Sequence, residues 1–167
     1  AQFVLQFLGL STSRLNATAI STLLANPVIQ AQQGLNQEDT IKISDYLQLT
    51  GFRWGLDENE RGGDETHSFV WCLDRWLLGL VLPSKPGLAY GGVAPFAQGI
   101  SHNELTKWWG FLSLICSQLQ EIRRSHTPNQ WVDLLKLFIE QLVGDGGSWK
   151  SELKTFFEIL EDWRNDV

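Results

Sequence analysis

Methionine is missing altogether from these 167 residues, cysteine occurs only twice, and no apolar run approaches the roughly 18 residues needed to cross a bilayer. With no initiator residue, the chain is expected to be a processed product or an excised piece of a longer polypeptide, with Ala1 a cloning remnant. Cys72 and Cys116 match no metal-ligand spacing and form no Cys-x-x-Cys pair. A bridge between them would need two facing helices; free, buried thiols in a reducing cytoplasm are the expected state. Phe3 to Leu10 is apolar but lacks the length and basic flank of a signal peptide, so no membrane partner is expected. Positive charge is sparse as well: 13 Lys and Arg stand against 19 Asp and Glu, a net charge of −6. A broad phosphate-binding surface needs clustered basic residues. These are scattered, so the isolated piece is expected to bind nucleic acid poorly.

The common catalytic signatures are missing too. No Gly-x-x-x-x-Gly-Lys-Ser/Thr loop is present to cradle a nucleotide, and no Gly-x-Ser-x-Gly elbow to hold a nucleophile. His67, His102 and His126 stand apart from one another and from any cysteine at ligand spacing. No cofactor is implied. What the chain does have is bulk: eight Trp and nine Phe. Each aromatic buries roughly 150–250 Å², and a chain of this length hides about two-thirds of its unfolded surface without a disulfide or metal. One domain over residues 1–167 is expected.

Periodicity and capping signals predict an all-α fold of seven to eight helices, closed by three long ones. Gln2 to Gly9 reads as helix. Asn16 and Asn26-Pro27 open two short helices, over about Ala17–Ala25 and up to Gly34. Asn36 opens a fourth, with Glu38 and Asp39 in its first turn, an inward face of Ile43, Tyr46 and Leu47, and a glycine stop at Gly51. A fifth runs over about Ser68–Val81, with Phe69, Leu73, Trp76, Leu77 and Leu80 inward and Pro83 ending it. Ser84–Gly99 is a long crossover loop, with its Gly and Pro residues. Ser101 and Glu104 form a capping box for the longest helix, to about Arg124, with Leu105, Trp108, Leu112, Ile115, Leu119 and Ile122 inward. Thr127-Pro128 starts the next, with Trp131, Leu134, Leu135, Phe138, Ile139 and Leu142 inward, until Gly144 stops it. Ser148 is expected to cap the last, with Trp149, Leu153, Phe156, Phe157, Leu160 and Trp163 inward. No segment alternates convincingly enough to predict a strand.

The junction at residues 51–57 draws the most attention. Gly51 and Gly55 frame Phe52, Arg53 and Trp54, and Asp57 closes the run. Trp54 has three readings: a core plug, an anchor for a partner, or a platform for a stacked base. Arg75 lies one position from the buried face of the fifth helix, so it needs a carboxylate or carbonyl partner. Asp57, or carbonyls of the Trp54–Gly55 turn, are expected to supply it, which would make Gly51, Trp54, Gly55, Asp57 and Arg75 a structural keystone. Arg53 is expected to face solvent. Arg123 and Arg124, at a helix C-terminus, either compensate its dipole or, with Arg53, touch DNA or a partner. The acidic loop 57–65 resembles a calcium loop only at Asp57, Asn59 and Gly62. Arg61 and Ser68 occupy the places of a ligand and of the closing carboxylate, so no metal site is predicted.

These residues also carry a resemblance. The run Gly51-Phe52-Arg53-Trp54-Gly55-Leu56-Asp57 resembles the Gly-Ile-Arg-Trp-Gly-Ile/Leu-Asp segment of the RecC family, the gamma subunits of exodeoxyribonuclease V. Ser13-Arg14-Leu15, Ser21-Thr22-Leu23-Leu24 and Pro27-Val28 are similar to that family's Ser-Arg-Phe, Ser-Leu-Leu and Pro-Val. Leu73-Asp74-Arg75-Trp76-Leu77-Leu78-Gly79 resembles its Leu-Thr-Arg-Met-Leu-Leu-Gly. The likeness spans the chain, with its specific motifs confined to Ser13–Gly79.

It implies a piece of a superfamily 1 helicase relative without ATPase motifs of its own, a structural and DNA-handling subunit of the RecBCD helicase–nuclease. By its order along the family's chain, the segment looks like the helical 2B-type domain. The implied partners are the alpha and beta subunits of exodeoxyribonuclease V and, through the whole complex, a duplex DNA end during double-strand-break repair and recombination. Motor and nuclease sites would lie elsewhere in the complex. Two rivals from other classes are a stand-alone helical interaction module and a metal-dependent enzyme domain using the loop 57–65.

Overall fold

The computed structural model describes residues 2–82, 87 and 89–166. Among them are eight α-helices and no strand: α1 Gln2–Thr12, α2 Ala17–Leu24, α3 Pro27–Gln33, α4 Gln37–Thr50, α5 Phe69–Val81, α6 His102–Ile122, α7 Pro128–Val143 and α8 Lys150–Asp166. The expected all-α class and the three long closing helices are both present.

Side-chain caps set most of these boundaries. Asn16, Asn26 and Ser68 each accept a hydrogen bond from a first-turn amide of α2, α3 and α5. Reciprocal capping boxes open three more helices: Asn36 with Asp39 for α4, Ser101 with Glu104 for α6, and Thr127 with Gln130 for α7. Each side-chain cap contributes about 1 kcal/mol. Leu82 is extended, with φ −126° and ψ 147°, as a residue before proline must be. The helix-ending role of Pro83 lies outside the described residues, as do Ser84, Lys85, Pro86 and Leu88 of the crossover loop.

The last boundary departs from expectation. Ser148 does not cap α8. Gly146, with φ 85°, opens a short 3-10 turn over Gly147–Trp149, and α8 begins at Lys150. Asp145 Oδ1 accepts from the Gly147 amide at 3.2 Å, so a side-chain turn at Asp145 absorbs Ser148 before the helix starts.

The core lies where α5 packs on α6, and α2 packs on α4 beside it. Trp76 is fully buried at its centre, with Tyr46 tilted against it at 5.0 Å between ring centroids, and with Phe96 and Trp108 at 5.6 and 6.2 Å from Tyr46. All six predicted inward residues of α6 are buried. On α5 the buried set is Phe69, Cys72, Leu73 and Trp76, while Leu77 is exposed, because α6 and the 94–100 segment cover the Cys72 side of the helix. Cys72 and Cys116 are both free and buried, and burial pushes each thiol up to about 12. On α8, Leu160 is buried and Leu153, Phe156 and Phe157 pack half-buried on the core, as expected, but Trp163, predicted inward, stands exposed, as does Ile159.

The crossover is docked over its second half. Tyr90 and Val93 exchange two backbone bonds, and the Phe96 amide then donates to the Arg75 carbonyl at 2.9 Å. Gly79, in the middle of α5, makes this docking possible. A Cβ there would lie 2.4 Å from the Phe96 carbonyl oxygen.

A glycine-framed corner as the candidate functional site

The chain leaves α4 at Gly51, turns the corner through residues 52–56, and enters the loop that leads to α5. Gly51 has φ 109°, a left-handed stop that L side chains avoid. A Cβ on it would also press on Trp71 at 3.2 Å and His67 at 3.3 Å. The Phe52 amide reaches back to the Leu47 carbonyl at 2.9 Å, closing the helix end. Gly55 then threads between two distant segments. Its amide donates to Leu15 at 2.7 Å, and its carbonyl accepts from Phe69 at 2.9 Å. It too has positive φ, 87°. Corner, α1–α2 connector and α5 are thereby fastened by backbone alone.

Side chains alternate along this extended run. Phe52 is 1% exposed and meets Phe69 at 5.6 Å, and Leu56 is fully buried. Arg53 points out to solvent, as expected, and donates only to its neighbour's carbonyl at 3.3 Å. Of the three readings of Trp54, the core plug fits its surroundings poorly. It is only half-buried, at the rim, with the guanidinium of Arg14 over its ring at 4.3 Å and that of Arg61 at 4.6 Å. Phe52 already fills the adjacent core position, so Trp54 is roofed by cations rather than by aliphatic side chains. Arg61 also donates to the Trp54 and Asp64 carbonyls, each at 3.0 Å, which leaves the ring poorly placed to stack a base.

Arg75 is partnered, but not as expected. It makes no bond to Asp57 or to the Trp54–Gly55 carbonyls. One terminal nitrogen donates to the Thr50 carbonyl, and Nε donates to the Ala94 carbonyl at 3.0 Å. Its plane lies 4.8 Å from the Trp71 ring and 5.1 Å from the Phe96 ring. The reason is geometric: Arg75 projects toward the last turn of α4 and the docked crossover, whereas Asp57 lies with Asn59, Glu60 and Arg123 beside the end of α6. Asp57 instead uses Oδ1 to accept from the Asn59 and Glu60 amides, at 3.1 and 3.2 Å. Thr50 completes the junction. Its hydroxyl accepts from the Trp76 indole at 2.8 Å and donates to the Tyr46 carbonyl at 2.6 Å.

Glu60 is the residue that sequence reasoning missed. Within a loop that reads as solvated, its carboxylate accepts from the Leu15 amide at 3.3 Å and the Leu56 amide at 2.6 Å, and pairs with Arg123 at 2.8 Å. Its partners are 45 and 63 residues away, with only Leu56 close in sequence. Local spacing therefore carried no sign of the role. Arg123 is thus bound inside the fold, while Arg124 lies at the surface on Glu121, at 2.7 Å. His67 adopts φ 69° and presents Nδ1 to the Gly51 carbonyl at 2.6 Å. The nearby carboxylates are unfavourably placed: burial raises Asp74 and Glu65 above the usual carboxylate range, and Asp74, Glu58 and Asp57 push Glu65 further.

Asp74 therefore destabilises the fold near neutral pH. Its carboxyl holds a proton more tightly folded than unfolded. The associated stability is fully present below the unfolded carboxylate pKa and is lost as pH rises through the folded value. Asp74→Asn is expected to raise the urea midpoint at about pH 7.5 and to leave it nearly unchanged at about pH 3.5. An equal shift at both values would show that burial of the charge is not the cause.

The best-held polar side chains at this corner, Thr50, Glu60, Arg61, His67 and Arg75, each join one segment to another. Among the described residues, no group of three or more His, Cys, Asp or Glu side chains converges as a metal ion would require. Fold and site together define a class: an all-helical domain whose polar side chains serve as fasteners. The particular family follows from comparison. The model of the RecBCD enzyme subunit RecC fourth domain matches residues 1–167, and the chain belongs to that family. A search of curated proteins found no match.

Proposed function

We propose that this domain is an architectural part of the RecC subunit and performs no chemistry of its own. It holds a surface of RecC in shape, in contact with the alpha or beta subunit of exodeoxyribonuclease V, while the whole complex processes a duplex DNA end in break repair and recombination. The 2B-type place in a helicase-like lobe belongs to the same proposal, as do the extent of the domain over residues 1–167 and a cytoplasmic setting. The observation that carries the reading is the match to the RecC family along the whole chain. The use of Glu60, Asp57, His67 and Arg75 as internal fasteners supports it. For direct contact with DNA or a partner, Arg53 is the best placed of the three arginines. Its side chain is exposed, whereas Arg123 is tied to Glu60 and Arg124 to Glu121.

The test removes the loop carboxylates that hold nothing together. In the assembled RecBCD enzyme, the double substitution Glu58→Gln and Glu65→Gln is expected to leave exonuclease activity within about twofold of the parent. Removing a true metal ligand or general acid–base group costs roughly 100-fold or more. A loss of that size in a complex of normal composition would favour an enzymatic loop.

A further inference from the structure

α5 has three sides, and the fold uses two of them. Phe69, Cys72, Leu73 and Trp76 form the core side, and the docked crossover takes the side of Arg75 and Gly79. Val70, Asp74, Leu77 and Val81 recur at i, i+4, i+7 and i+11, so they line the third side together. Val70 is half-buried at the edge of the core, whereas Leu77 is 36% and Val81 66% exposed. The row runs for about 16 Å, three turns of helix. Asp74 interrupts it. Its side chain is half-buried, and among the described residues no opposite charge and no hydrogen bond answers its carboxylate. More negative charge gathers at the same end of α5. Burial raises the Glu65 carboxyl first, and then Asp74, Glu58 and Asp57 push it further, so the four carboxylates share one neighbourhood. Burial also leads in raising the Cys116 thiol of α6, with Asp57 and Asp74 adding to it, which places that neighbourhood where α5 meets α6.

We propose that this face of α5 docks a helix from a partner subunit of exodeoxyribonuclease V, one that carries a lysine or arginine within its own apolar stripe. Charge complementarity selects the occupant. A wholly apolar helix would bury Asp74 without a partner, which excludes it. A second copy of this chain, itself at −6, brings the wrong sign. The acidic surround also raises the rate at which a separately diffusing cationic partner finds the face. A neighbouring domain of the same polypeptide needs no such steering, because linkage already holds it at an effective concentration of order mM. The helical form of the occupant follows from the row itself, since a ridge at this spacing packs into the grooves of another helix. The proposal rests on the reading of this domain as a part of RecC in contact with the other subunits. It adds which face makes that contact and the chemistry that the face accepts.

The experiment titrates the full RecC chain with the alpha and beta subunits and reads the apparent Kd of assembly for the parent, Asp74→Asn and Val81→Glu. Val81 is exposed, so its substitution leaves the fold intact, and Asp74→Asn is expected to be the more stable chain near neutral pH. Both variants are nevertheless expected to assemble roughly tenfold or more weakly, one by losing the charge pair and the other by placing an unpaired charge in the contact. Assembly of Asp74→Asn is also expected to depend less on added salt than that of the parent. A stability gain beside a binding loss is a combination that a purely structural Asp74 would not give. In the same complex, a benzophenone side chain installed at Val81 and irradiated is expected to link to a peptide of the alpha or beta subunit with apolar residues at helical spacing around a lysine or arginine. Assembly of either variant within about twofold of the parent would overturn the proposal. So would a link to RecC itself, to a second RecC chain, or to nothing. Failure of the parent chain to assemble would remove the reading of the domain as well, whereas variants that match an assembling parent remove only the role of this face.

Discussion

Phe52→Ala is expected to cost about 3–5 kcal/mol of unfolding free energy, while Trp54→Ala two residues away costs about 1 kcal/mol. The two residues share one extended run and are both large aromatics, so volume alone would rank tryptophan first. Burial reverses the order. Phe52 is 1% exposed and locked against Phe69, so its truncation leaves a cavity at the centre of the junction. Trp54 lies half-buried under Arg14 and Arg61, whose guanidinium groups can return to water when the ring is removed. Urea denaturation of both variants checks the claim. Equal losses would put Trp54 back in the core.

The second large effect concerns a glycine whose sign is the reverse of the usual one. Alanine in place of a mid-helix glycine ordinarily gains roughly 1 kcal/mol. Gly79→Ala is expected to lose about 1–3 kcal/mol instead, the range for overpacking. The added Cβ would sit 2.4 Å from the Phe96 carbonyl oxygen and 2.9 Å from the Ala97 Cβ, and the first of these is backbone that cannot step aside alone. Relief requires the Ala94–Phe96 segment to lift, which would also break the Arg75–Ala94 and Phe96–Arg75 bonds. Hydrogen exchange at the Phe96 amide reads this directly. Faster exchange in the variant is expected, and unchanged exchange with a gain in stability would contradict the docked crossover.

Helices were legible in the sequence wherever local chemistry decides. Asn16, Asn26-Pro27, Ser101 with Glu104, Thr127-Pro128 and the glycines at 34, 51 and 144 mark helix ends through groups within four residues of one another. The corner was legible as a corner for the same reason. Its wiring was not. Arg75 announced a need for a partner by its place beside a buried face, but Thr50 and Ala94 answer that need from 25 and 19 residues away. Glu60 announced nothing, because a carboxylate in a polar loop has the same local pattern whether it is solvated or satisfied by amides and an arginine. Gly79 offered only a weak signal, a glycine where a helix prefers alanine. The stripe of α8 was legible over Leu153, Phe156, Phe157 and Leu160, which pack on the core, but not at Trp163, because apolar periodicity gives a face without saying where its covering ends.

Arg75 is the place where these strands of the account meet, since it binds α5 to the end of α4 and to the crossover while touching no candidate reacting group. The most direct test is therefore Arg75→Ala in the full RecC chain, co-expressed with the other subunits of RecBCD, with the yield of assembled complex and the DNA-processing rate per assembled complex measured in the same preparation. An architectural domain predicts that yield falls, because two backbone carbonyls lose their buried donor at about 1–3 kcal/mol each, while the rate per complex stays within about twofold of the parent. A complex that assembles in normal yield yet processes DNA more than about tenfold slower, a loss of roughly 1.4 kcal/mol or more in the transition state, would contradict the account and place this corner in the reaction path.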